Sequence, residues 1–218
     1  MKKYGFKQAL VDHTLFYKRN GDDITLLIVY MDDMIVIGSN TNEIEKLRSY
    51  LAKEFEMKDL GVLKYFLGIE VSRFKQELFI SQQKYTLDLL AETGNSACVP
   101  IDTPIENPND RHMNAVNHIL AYLKSSLGKG IIFSRHRHLD IIGYTDFDFA
   151  GAKLDRKTTS GYVSFVGGNL VTWRSKKQNV VSLSSAEAEY RALHHAITEL
   201  TWLKILLSEL GYGLRNLD

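Results

Sequence analysis

The 218-residue sequence has one cysteine, Cys98, and three prolines. A lone cysteine excludes an intramolecular disulfide and any cysteine-based metal site, so packing and hydrogen bonding must hold the fold, and a reducing compartment suits the chain. Pro100, Pro104 and Pro108 all fall in one polar segment, which predicts a linker over residues 98–111. No apolar run approaches the roughly 18 residues of a membrane span, and the first five residues lead into no signal-peptide segment. An intracellular, non-secreted protein with no membrane partner is expected. Charge of either sign is scarce in net terms, at +1, but uneven: residues 1–110 carry 13 Lys and Arg against 17 Asp and Glu, and residues 111–218 carry 14 against 9. The basic half could meet a polyanion directly, the acidic half only through cations.

What is plentiful is apolar, β-branched sequence around one acidic spot. Residues 24–38 form two runs rich in Ile, Val and Leu, separated by Asp32 and Asp33, and predict a β-hairpin. Met31-Asp32-Asp33-Met34 contains no glycine, although tight hairpin turns favour residues tolerant of positive φ. Adjacent carboxylates repel, and their apolar flanks set them near a core where desolvation adds to the cost. A divalent cation would relieve both penalties; a solvated acidic turn is the other reading of the bare pair.

Around this hairpin, residues 14–19 read as a strand, and Asn40 with Glu43 and Asn42 with Glu45 both have capping-box spacing for a helix from about Thr41 to Phe55, faced by Ile44, Leu47, Leu51 and Phe55. Residues 63–71 predict one strand, 76–80 its partner, and 81–94 a helix with Tyr85, Leu89 and Leu90 inward. After the linker, Met113, Val116, Ile119, Leu120 and Leu123 follow helical spacing. Strands are predicted over 130–133, 139–145, 162–166 and 170–174, the last two joined at Gly167-Gly168-Asn169. A long helix opens at the capping box Ser184 and Glu187 and carries Tyr190, Leu193, Ile197, Leu200, Leu203, Leu207 and Leu210 along one face.

Two carboxylates in this half have no capping role. Asp146 stands at the end of the 139–145 strand, and Glu189 falls beside Tyr190, toward the apolar face. Facing one another they would make a metal site suited to phosphodiester chemistry; a solvated strand end and a solvated helix residue also fit the spacing.

Tyr30-Met31-Asp32-Asp33 at the tip of an apolar hairpin resembles the polymerase motif of reverse transcriptases. Lys3-Tyr4-Gly5-Phe6, Asp12-His13-Thr14-Leu15-Phe16, Met57-Lys58-Asp59-Leu60-Gly61 and Tyr65-Phe66-Leu67-Gly68-Ile69-Glu70, in that order, look like the C-terminal part of a copia-type retrotransposon reverse transcriptase. Tyr144-Thr145-Asp146-Phe147-Asp148-Phe149-Ala150-Gly151, Trp173-Arg174-Ser175-Lys176-Lys177-Gln178 and Ser184-Ser185-Ala186-Glu187-Ala188-Glu189-Tyr190 resemble the ribonuclease H domain of the same polyproteins. The resemblance implies Asp32 and Asp33 as ligands in a two-Mg²⁺ polymerase site, and Asp146 and Glu189 as carboxylates of a second two-Mg²⁺ site that cleaves the RNA of an RNA–DNA hybrid. It makes Arg174, Lys176 and Lys177 phosphate contacts, although a solvated basic turn fits each of them equally.

The expected architecture is α/β: a reverse-transcriptase palm part over residues 1–97, the linker over 98–111, and a ribonuclease H-like domain over 112–218, with a mixed sheet and a long helix. The resemblance implies further family segments before Met1, within 104–112 and after Leu210, bearing the remaining carboxylates of both sites. Both sites, and both units, are therefore expected to be incomplete and the isolated chain inactive, with an exposed sheet edge and an uncovered apolar helix face. The expected partners are a template-primer or RNA–DNA hybrid and a longer Pol polyprotein copy; a non-catalytic nucleic-acid-binding role is the alternative.

Overall fold

The computed structural model describes residues 1–100, 112–149 and 156–213, so most of the expected linker lies outside the described residues. The chain forms two compact units, one from residues 1–60 with 136–218 and one from residues 61–135.

The first unit opens with β1 (Lys7–Gln8), β2 (Leu15–Asn20), β3 (Asp23–Tyr30) and β4 (Asp33–Gly38), an antiparallel sheet in chain order, followed by α1 (Thr41–Glu54). The unbroken apolar run of β3 reflects two covered faces. Leu27 packs with Phe6, Leu47 and Leu51 on the α1 side, while Ile24, Leu26 and Ile28 pack with Ala9, Leu15, Leu206 and Leu210 on the other. Asn40 caps α1 by accepting from the Glu43 N–H at 3.1 Å, as the capping-box spacing predicts.

The second half of this unit is an antiparallel sheet of β9 (Ile141–Asp148), β10 (Thr159–Val166) and β11 (Asn169–Lys177), in the order β11-β10-β9, with α4 (Ser185–Glu209) packed across β9 and β10. Asp146 lies inside β9, opposite Gly161, and not at the strand's end. The buried stripe of α4 is Ala188, Ala192, Ala196 and Leu203. Leu203 and Leu210 are buried as expected, but the N-terminal part of the expected face is corrected: Tyr190 is 72% exposed, and Leu193 and Ile197 also face solvent. Small residues win because they let the helix come close to the sheet. A β-carbon at Gly143 would lie 2.8 Å from Leu200 Cδ1.

The C-terminal end of α4 is clasped by the N-terminal segment. Glu209 accepts from the Leu10 N–H through both carboxylate oxygens at 3.1 Å, Trp202 donates its indole N–H to Val11 O at 2.9 Å, and Arg19 donates to Leu210 O at 2.9 Å.

The other unit holds β5 (Tyr65–Phe66), β6 (Ile69–Arg73), β7 (Glu77–Ser81), α2 (Gln83–Glu92), α3 (His112–Ser125) and β8 (Gly130–Ser134), with the sheet order β5-β6-β7-β8. The single strand expected over 63–71 is instead a tight hairpin. Leu67 and Gly68, at φ +48 and +82, turn the chain between β5 and β6. Within α2, Leu90 is buried as expected and is joined by Thr86, while Tyr85, expected inward, is half exposed. Its first turn is capped from outside: the Glu70 carboxylate accepts from the Lys84 N–H at 2.9 Å.

Among the described residues no helix is long and apolar enough to cross a membrane.

Candidate functional site

β3 and β4 pair from Thr25 opposite Gly38 up to Tyr30 opposite Asp33, leaving Met31 and Asp32 as a two-residue turn. With no glycine available, Met31 takes the left-handed conformation at φ +49, a cost of about 1 kcal/mol for a non-glycine residue. The side chain is not held by packing, being 84% exposed. Asp32 and Asp33 are exposed as well. The expectation that apolar flanks place them near a core is corrected: the flanking residues pack lower in the sheet, and the tip projects into water. Water screens the mutual repulsion, and both carboxylates are open to a cation or substrate.

The opposite end of the hairpin is tied down. Asp23 accepts from Ser39 Oγ at 2.7 Å and from Asn40 Nδ2 at 3.0 Å, so the residue that caps α1 also anchors the start of β3. These donors, Asn40 first and then Ser39, hold the Asp23 carboxyl below the ordinary aspartate range.

Asp146 and Glu189 are both exposed. Tyr162 and Gly143 face α4, shown by the Tyr162 hydroxyl donating to Glu199 at 3.1 Å and by the approach of Leu200 to Gly143. Strand alternation therefore turns Asp146 to the opposite, open face, beside the side of the sheet that carries Tyr144, Val163 and Trp173. Its Oδ1 accepts from the Phe147 N–H at 2.9 Å. Glu189 follows buried Ala188 on the solvent side of α4. Glu187 does cap the helix: it accepts from the Leu183 N–H at 2.8 Å while Ser184 Oγ accepts from its own N–H at 3.1 Å. The Leu183 N–H and then Arg191 lower its carboxyl below the usual range. Among the described residues no three His, Cys, Asp or Glu side chains are grouped as metal ligands.

Arg174, Lys176 and Lys177 line a common cavity of about 290 Å³ between β10, β11 and α4. The helix adds Arg191 and His195 to the same lining. Tyr162 also lines it, and burial followed by the hydrogen bond to Glu199 raises its hydroxyl above the ordinary tyrosine value, with Arg174 opposing.

The reverse transcriptase (RNA-dependent DNA polymerase) family model matches residues 1–107. The chain is 32% identical over 260 residues to the retrovirus-related Pol polyprotein from transposon RE2 of Arabidopsis thaliana, a match covering 97% of this chain and 18% of that protein. It is 30% identical over 269 residues to the retrovirus-related Pol polyprotein from transposon TNT 1-94 of Nicotiana tabacum, covering 97% and 20%. An uncharacterized mitochondrial protein of Arabidopsis thaliana is 29% identical over 223 residues, with 81% of this chain and 93% of that protein covered. The chain thus spans about one-fifth of the length of the Pol polyproteins it matches. No solved structure matches it. With the acidic hairpin inside the matched residues and nearly the whole chain aligned to transposon Pol polyproteins, the chain belongs to the copia-type Pol polyprotein family of reverse transcriptases.

Proposed function

We propose that this chain carries the catalytic hairpin of an RNA-directed DNA polymerase, with Asp32 and Asp33 as Mg²⁺ ligands. The observation that carries the reading is the exposed two-carboxylate tip of the β3–β4 hairpin, inside the residues matched by the reverse-transcriptase family. Adjacent, solvent-facing carboxylates are hard oxygen donors that suit Mg²⁺, which keeps several waters and binds through one or two carboxylates plus substrate phosphates. When bound there, the ion supplies activation of a 3′-hydroxyl and stabilisation of the leaving phosphate oxygens. The chain's own part is to hold the two carboxylates at a fixed turn, anchored through the paired strands behind it.

The β9–β10–β11 sheet with α4 is read as the ribonuclease H-like part, with Asp146 and Glu189 as its carboxylates. This rests on element order and motif resemblance; the pleat sets Asp146 on the open face, so a shared metal site would draw its other donors from outside the described residues. Each carboxylate pair falls short of a two-metal donor set, so the 218-residue chain alone is expected to be inactive, and the partner that completes it is a longer Pol polyprotein copy supplying donors in trans. A non-catalytic nucleic-acid-binding role is the second reading, favoured by the cationic cavity between β11 and α4.

The test uses the full chain with Mn²⁺ as a paramagnetic probe. Amide broadening centred on residues 31–34 and removed by Asp32→Asn is expected; no broadening there at millimolar Mn²⁺ would reject the metal-hairpin reading. In parallel, Mg²⁺-dependent cleavage of an RNA–DNA hybrid that disappears in Asp146→Asn or Glu189→Gln would overturn the inactivity of the isolated chain.

A further inference from the structure

Residues 136–140 lead into β9 and lie against the turn that joins β10 to β11. The Gly167 N–H donates to Asp140 O at 2.9 Å. A β-carbon at Gly167 would stand 2.6 Å from His138 O, so the missing side chain, as well as the positive φ of +56, is needed for the segment to seat there. The His136 ring rests on Gly168, with its Nε2 3.7 Å from where a β-carbon would be. Two glycines that the hairpin turn alone would explain thus also seat two histidines.

A bend at Arg137 brings the two rings together, with centroids 5.9 Å apart and planes inclined by 59°. Behind the pair, His138 Nδ1 lies 3.0 Å from Asp140 Oδ2. A carboxylate at Nδ1 holds the ring proton on that nitrogen, which leaves the Nε2 lone pair as a donor and fixes the ring's orientation, as carboxylates do behind metal-binding histidines. Two nitrogen–metal bonds of about 2.0–2.1 Å to one shared ion place imidazole centroids about 5 Å apart, so rotation about the side-chain bonds closes the difference. His136, His138 and Asp140 are all exposed, so water can fill the remaining coordination positions.

We propose that His136 and His138 form a two-imidazole site for a divalent transition ion of the Zn²⁺, Ni²⁺ and Cu²⁺ class, with Asp140 as the positioning residue behind His138. Imidazole nitrogen favours these ions, whereas Mg²⁺ takes oxygen donors. The site is therefore separate from the Asp32 and Asp33 hairpin in donor chemistry as well as in sequence. Its failure leaves the hairpin reading untouched, and the failure of the hairpin leaves the histidine pair untouched.

Isothermal titration of the full chain with zinc chloride, in buffer containing millimolar Mg²⁺, tests it. The parent chain is expected to take up a single Zn²⁺, and His136→Gln, His138→Gln and Asp140→Asn are each expected to weaken uptake by about tenfold or more, the scale of a lost metal ligand or of the partner that orients one. The three side chains are exposed, so the metal-free thermal midpoint of each variant is expected to match that of the parent. Asp140→Glu, which keeps a carboxylate behind His138, is expected to recover part of the affinity. With Cu²⁺ in place of Zn²⁺, electron paramagnetic resonance is expected to show nitrogen splitting from two imidazoles in the parent and from one in His136→Gln. His194→Gln, which breaks the neighbouring-histidine pair on α4 whose ring centroids are 5.6 Å apart, is expected to bind as the parent does, and so is Asp32→Asn. A loss in His194→Gln equal to that in His138→Gln would overturn the proposal in favour of the α4 pair, and an equal loss in Asp32→Asn would overturn it in favour of the hairpin. A Cu²⁺ spectrum with oxygen donors alone, or no uptake of Zn²⁺ by the parent chain at submillimolar concentration, would reject the site.

Discussion

Met31 shows how single residues shape the acidic tip. It adopts a conformation that glycine would take without strain, and the strain falls on the residue that directs the chain into Asp32 and Asp33. The anchor at the other end has a pH signature. Asn40 and Ser39 hold the Asp23 carboxyl below the ordinary aspartate value of about 4, and a depressed carboxyl contributes stability that is fully present above its unfolded pKa. That contribution is lost as pH falls through the lower folded value. The thermal midpoint is therefore expected to drop on acidification below about pH 4, and Asp23→Asn to flatten part of that drop, in melts followed by circular dichroism from neutral pH to about pH 3. The hairpin and its acidic pair are readable from residue types alone. Exposure of the pair is not, because apolar neighbours in sequence point alternately to the two covered faces of the sheet and none of them covers its end.

At the scale of elements, helix capping corresponds closely to the sequence, while helix faces and the turn at Leu67-Gly68 do not. Asn40 and Ser184 cap α1 and α4 as their spacing predicts, since a cap needs only residues three apart. The face of α4 depends on what lies beneath it. β9 offers a glycine at position 143, so the buried stripe is alanine and the larger Tyr190, Leu193 and Ile197 turn outward. Periodicity weighted toward large apolar side chains finds the stripe at Leu203 and Leu210 and misses it over Ala188, Ala192 and Ala196 for that reason. Gly143→Ala is expected to force Leu200 off its position and to destabilise the fold by about 1–3 kcal/mol, as overpacking does, read from urea unfolding midpoints. The hairpin at Leu67-Gly68 makes the same point for strands: apolar residues lie on both sides of Gly68 through 63–71, and the paired positive φ angles fold the segment into two strands.

For the molecule as a whole, the sheet that carries the acidic hairpin is covered on one side by α1 and on the other by the last turns of α4. Leu210 is buried with Ala9 and Leu15, and Trp202, Glu209 and Arg19 tie the same ends by hydrogen bonds. Segments at the two ends of the chain thus share one core. Leu210→Ala is expected to cost about 2–5 kcal/mol, and to shift the tryptophan-fluorescence transition, which reports Trp173 and Trp202, together with the circular-dichroism transition. Separated transitions would show that the two sheets unfold independently. The sequence by itself determined the hairpin, the caps, most strand and helix positions and the reverse-transcriptase kinship, because these depend on residue type and short spacing. Tertiary structure alone decided which faces are buried, that the first 28 residues share a core with residues 202–210, that Asp146 looks to the open side of its sheet, and that Arg191 and His195 join the basic residues of β11. Burial and convergence are set by which distant segment covers a surface, and no local pattern carries that information.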